Sequence, residues 1–91
     1  MENFIKNHIE QEISKKNYKL SVGSITLDTN NSDDVKNYFV TIYGGANGHG
    51  RLTKYLSEIK DIVDLFNEVY MVGWDSDLID DLFAVTLLIK L

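Results

Sequence analysis

At 91 residues, 44% of them hydrophobic and 25% charged, the chain has the makeup of one soluble globular domain with room for a single modest core. It contains no cysteine, which excludes a disulfide framework, a thiolate metal site and a cysteine nucleophile and suits a reducing cytoplasm. Net charge is −5 and lies unevenly: residues 1–54 hold seven Lys/Arg against six Asp/Glu, residues 55–91 two against eight. A field so one-sided disfavours nucleic acid and anionic lipid and favours a basic partner.

The opening MENFIKNHIEQEI has no basic leader, and no stretch approaches the roughly 18 uninterrupted apolar residues of a membrane span. Within it Ile5, Ile9 and Ile13 repeat every four residues with Phe4 beside them, so residues 3–16 read as an amphipathic helix. His8 stands at the boundary of that stripe. From Tyr18 the period changes to two: Tyr18, Leu20 and Val22 alternate with polar residues, and Ile25 and Leu27 resume the alternation out of phase. A bulge or break at Gly23-Ser24 restores the inward face. Residues 28–34, DTNNSDD, are turn formers. A second strand, 35–43, follows, with Tyr38, Val40 and Ile42 on one face and Phe39 and Tyr43 on the other.

GGANGHG, residues 44–50, is a flexible connection. Leu52, Tyr55, Leu56, Ile59, Ile62, Val63, Phe66, Val69 and Tyr70 then recur at three and four. That period predicts a helix over 52–71 capped by Gly73. Asp75 or Ser76 can cap a further short helix carrying Leu78, Ile79, Leu82 and Phe83. The ending AVTLLIKL is a last strand or a continuation of that helix, with the strand preferred. The expected fold class is α+β, a single domain over 1–91: a small antiparallel β-sheet packed by an N-terminal helix and a long central helix plus a short C-terminal helix.

The glycine loop is the most enzyme-like feature. Gly45 and Gly50 have the spacing of a phosphate-binding loop, but Arg51 stands where lysine belongs and Leu52 where the Mg²⁺-binding hydroxyl belongs. NGHGRL also resembles the G-x-G turn by which small GCN5-related acetyltransferases hold acyl-CoA, with Gly48 and Gly50 opening a helix. It departs from that family at Gly45, where a Gln or Arg is expected. His49 has no partner set at metal-ligand spacing. Asp75, Asp77, Asp80 and Asp81 lack the central glycine and final glutamate of a calcium loop. Neither cofactor nor metal is expected.

The carboxylates themselves carry more. From Glu58 to Leu82 eight acidic residues face a single basic one, Lys60. Glu58, Asp61, Asp64 and Glu68 are spaced to share a helix face, although like charges four apart are mildly destabilising. Asp75, Asp77, Asp80 and Asp81 extend the same field. This is either a solvated face or an array of anions spaced like the charges of nucleic acid.

The arrangement resembles the small acidic phage-encoded anti-CRISPR proteins, in particular the type II-A Cas9 inhibitor that imitates DNA. The likeness runs through NYKLSVGS leading into a strand, the hairpin turn NNSDD, a helix ending in Gly73-Trp74, the acidic DSDLIDDLF and the Thr-Leu-rich AVTLLIKL. It departs in a longer glycine loop and in an ill-defined middle strand of three. The resemblance implies a non-enzymatic inhibitor in the cytoplasm of a bacterial host. Its partner would be a basic nucleic-acid-binding protein, a Cas effector, whose PAM-reading arginines it occupies. Asn31, Asp33, Asp34, Asp75, Asp77, Asp80 and Asp81 are the implied partner-binding residues, with Asp61 and Asp64 beside them from the acidic face. The alternatives are a minimal acyl-CoA-dependent acetyltransferase and an immunity or antitoxin protein against a basic nuclease.

Overall fold

A computed structural model describes residues 2–29, 36–44, 52–66, 68–77 and 82–90. Helix α1, Glu2–Lys16, buries Ile5 and Ile9 completely and lays Ile13 against the same core. It ends in a backbone motif that satisfies its last carbonyls. Asn17 takes φ 56°, its N–H bonds to the Ser14 carbonyl at 3.2 Å, and the Tyr18 N–H reaches back to the Ile13 carbonyl at 3.0 Å. Asparagine tolerates that left-handed conformation, so the chain turns sharply here without glycine.

Strand β1, Leu20–Leu27, pairs antiparallel with β2, Asn37–Gly44. The register slips between Val22 and Ile25, which sets Val22 opposite Ile42 and Ile25 opposite Val40. The bulge expected at Gly23-Ser24 therefore keeps Leu20, Val22 and Ile25 on one face. In β2, Tyr38, Val40 and Ile42 are buried while Phe39 and Tyr43 lie on the other side, as the alternation requires.

Helix α2, Leu52–Ile62, follows, then β3, Glu68–Asp77, and β4, Leu82–Lys90. Strand β4 inserts between β2 and β3, so the sheet runs β1-β2-β4-β3 with every neighbour antiparallel. Ile5 and Ile9 of α1, Tyr55, Ile59 and Ile62 of α2, and the inward residues Phe83, Val85, Leu87 and Ile89 of β4 form one buried cluster with β2. The result is two layers, helices on one face of the sheet, and β4 packs the centre. No helix among the described residues is long and apolar enough to cross a membrane.

The α+β class with an antiparallel sheet holds, but the helices are corrected. The long central helix stops at Ile62, not at residue 71, and the expected short C-terminal helix is absent among the described residues. Two turns over 61–66, Asp64 N–H to the Asp61 carbonyl and Phe66 N–H to the Val63 carbonyl at 3.0 Å, carry Val63 and Phe66 on into the core. The apolar period thus outlives the helix, which is why it reads as helix to residue 70. Beyond it Val69, Tyr70 and Met71 are β-branched, aromatic or flexible residues paired by β4, and Val72 bulges out of the register. Gly73 is no cap: it sits within β3 beside a register shift between Met71 and Gly73. Asp75 and Ser76 pair with Ala84 and Phe83 of β4 instead of opening a helix. Leu78 and Ile79 lie outside the described residues. AVTLLIKL is strand, as preferred from its composition.

Candidate acidic partner-binding surface

The change from helix to strand at residue 68 redistributes the acidic residues. Glu58 and Asp61 stand on α2, Asp64 in the turn after it, and Glu68, Asp75 and Asp77 on β3. Asp33 and Asp34, with Asn31, and Asp80 and Asp81 lie outside the described residues, as does the glycine loop with Gly45, Gly48, His49 and Gly50. The β1–β2 connection that carries Asn31, Asp33 and Asp34 is drawn shut at its base by a 2.9 Å bond from the Asp28 N–H to the Asn37 carbonyl.

The α2 carboxylates do not form one uniform face. Asp61 Oδ2 accepts a hydrogen bond from the Tyr18 hydroxyl at 2.8 Å and an ion pair from Lys16 Nζ at 2.6 Å. Lys16 also reaches Glu12 Oε2 at 3.7 Å. The hydrogen bonds from Lys16 and Tyr18 hold Asp61 below the ordinary carboxylate range, and the Asp61 carboxylate in turn raises both Lys16 and Tyr18. Glu58 turns inward: its Oε2 is buried and has no hydrogen-bond partner among the described residues. Tyr18, Ser57, Lys60, Asp61 and Asp64 line an open hollow of about 340 Å³. Asp64 is exposed on its rim.

Asp61 is therefore a structural anchor between α1 and α2, answered by a lysine far away in sequence. Local charge counting missed this. Among the described residues of 58–77, Asp64, Glu68 and Asp75 are exposed, the last two on β3. Strand β3 also displays Tyr70, Met71, Val72 and Trp74, each about half exposed. Trp74 signalled this only as part of an expected helix end, since its display depends on β3 being the outermost strand. Lys90 Nζ lies 5.3 Å from the Tyr70 ring centroid, a cation–π contact across the β3–β4 pair.

Chemically the described surface offers charge and apolar contact. Among the described residues no three His, Cys, Asp or Glu side chains gather to hold a metal ion. No protein-family model matches the sequence, and comparison with curated proteins and with solved structures returns no significant match.

Proposed function

We propose that the protein is a non-enzymatic inhibitor that binds a basic nucleic-acid-binding surface and excludes DNA from it by charge mimicry, with a Cas9-like CRISPR effector as the concrete target. The observation that carries this reading is the placement of the acidity. Residues 55–91 hold eight carboxylates against two lysines. Of these carboxylates Glu68, Asp75 and Asp77 stand on β3, an edge strand of the sheet. Anions held on a fixed scaffold attract arginine-rich grooves at long range and compete with phosphates for them. Asp80 and Asp81 continue that charge in the sequence directly after β3, and Asn31, Asp33 and Asp34 complete the partner-binding set that the anti-CRISPR resemblance implies. The support is charge, since the strand pair over 68–90 stands where the resemblance implies a helix end and a short helix.

A DNA-cleavage assay with guide-loaded Cas9 tests it. Wild-type protein should protect target DNA, more weakly as salt rises, because screening shortens from about 10 Å at 0.1 M to about 3 Å at 1 M ionic strength. Replacing Asp75, Asp77, Asp80 and Asp81 by Asn or Ser should abolish protection. A quadruple variant as protective as wild type would show the acidic residues to be a solvated coat.

A further inference from the structure

The outer edge of β3 faces away from β4, and no described strand pairs with it. Exposed edges of this kind accept added strands unless they are blunted. Beside it, on the helix side of the sheet, Leu56 and Ile59 of α2, Val63 of the turn after it, and Val69, Met71 and Leu87 enclose an apolar cleft of about 270 Å³. The pairing register assigns the faces. Val69 and Met71 oppose the buried Ile89 and Leu87, and past the one-residue bulge Trp74 opposes the buried Val85, so these three stand on the cleft side. Glu68, Tyr70 and Asp75 oppose Lys90, Leu88 and Ala84 and stand on the other side. The edge thus presents apolar groups on one face and acidic groups on the other.

We propose that β3 receives an extended segment of the partner as an additional strand, with alternating apolar and basic residues: apolar side chains enter the α2–β3 cleft, and lysines or arginines lie over Glu68 and Asp75. Main-chain pairing would supply affinity and the two-residue alternation specificity. A second copy of this chain fits the edge badly. An antiparallel β3–β3 pair in full overlap sets Glu68 against Asp77 of the copy, and a shift of two residues sets it against Asp75; like charges directly opposite are destabilising. The bulge at Val72 further interrupts the ladder, a device that limits edge-to-edge pairing. Lys60, on the α2 side of the cleft, directs the partner's cations to the acidic face of the strand.

This inference rests on the proposed function only in taking the partner to be basic, and a peptide probe separates the two. A capped peptide of alternating valine and lysine is titrated into ¹⁵N-labelled protein. Saturable shifts should appear at β3 and the facing residues of α2, and a valine–glutamate peptide should give none. Met71→Lys and Trp74→Lys replace side chains 48% and 57% exposed, so the fold should persist by amide dispersion while peptide affinity falls about tenfold or more. Shifts confined to α1 and β1, equal binding of both peptides, or dimerisation through β3 in sedimentation would each overturn the proposal. If the lysine peptide binds β3 yet the protein fails to protect DNA from Cas9, the strand site stands and the inhibitor reading fails. If DNA is protected equally well by the Met71→Lys variant and the peptide does not bind, the inhibitor reading stands and the strand site fails.

Discussion

Phe66 and Tyr70 distinguish the observed fold from the one that hydrophobic periodicity alone suggests. Four residues apart, they would occupy one stripe of a continuous helix, and truncating either would open the core. In the structure Phe66 is 8% exposed, with its ring edge-on to His8 at 5.6 Å between centroids, whereas Tyr70 is 49% exposed on the outermost strand. An aromatic side chain covers some 150–250 Å². At about 25 cal/mol per Å², burying nine-tenths of it is worth roughly 4 kcal/mol, in line with the 3–5 kcal/mol typical of Phe→Ala in a core. A chain of 91 residues has a total stability of about 5–14 kcal/mol, so Phe66→Ala should lower Tm by roughly 15–30 °C or leave the protein unfolded at room temperature. Tyr70→Thr puts a β-branched residue of good strand propensity in its place and loses the Lys90 contact and half-covered area, costing about 1–1.5 kcal/mol. Melts followed by circular dichroism, with urea midpoints as a second measure, decide the matter. Equal and large losses at both positions would refute the turn at 63–66 and restore a helix through residue 70.

Other consequences can be checked with the same small protein. Asp61, held below its ordinary value by Lys16 and Tyr18, contributes stability that is present above the usual carboxylate pKa and is lost as pH falls through its lower folded value. Lys16 and Tyr18, both raised, contribute stability that is present below their ordinary values and is lost as pH rises through the folded ones. Asp61→Asn should therefore flatten both the acid and the alkaline limbs of a pH–stability profile, and an unchanged profile would deny the cluster. At Gly23 an added Cβ would fall 2.1 Å from Tyr43 Cε2, and at Gly44 it would fall 2.8 Å from both Leu20 and Phe83. Tyr43 is 44% exposed and can swing away, so Tyr43→Thr should rescue Gly23→Ala; Gly44→Ala, wedged between buried side chains, should stay destabilised by about 1–3 kcal/mol. Calorimetry with acetyl-CoA should show no binding, and saturable micromolar binding weakened by Gly50→Asp would revive the acetyltransferase alternative.

Much of the fold is legible in the sequence because local and tertiary preferences agree there. The isoleucines of α1 recur at helical spacing, β2 alternates strictly, and Gly23-Ser24 marks the slip that the pairing of Val22 with Ile42 and Ile25 with Val40 then realises. The stretch 58–77 is misleading because two requirements coincide. A turn that keeps Val63 and Phe66 in the core has the spacing of a helix, and Val69 to Met71 gain their strand character from β4 partners well along the chain, Ile89 to Leu87. Gly73-Trp74 looks like a helix end for the same reason: glycine serves a cap and a bulge equally well.

That error of element changes what the carboxylates mean. On one continuous helix Glu58, Asp61, Asp64 and Glu68 would have been a ridge of four like charges with only Lys54 and Lys60 near enough to offset their repulsion. In the folded chain each has a different fate. Glu58 turns its Oε2 inward, Asp61 bonds to Tyr18 and Lys16, Asp64 meets solvent, and Glu68 opens an edge strand opposite Lys90. An anion already paired with Lys16 cannot pair with a partner's arginine without giving up that contact, so Asp61→Asn should reduce stability more than binding. Glu68 and Asp75 have the opposite balance, because both are exposed on an edge strand, where a charge adds little to folding and steers an approaching cation. A binding assay in which Asp61→Asn weakened the complex while Glu68→Gln and Asp75→Asn did not would place recognition on the α1–α2 side and remove β3 from the interface.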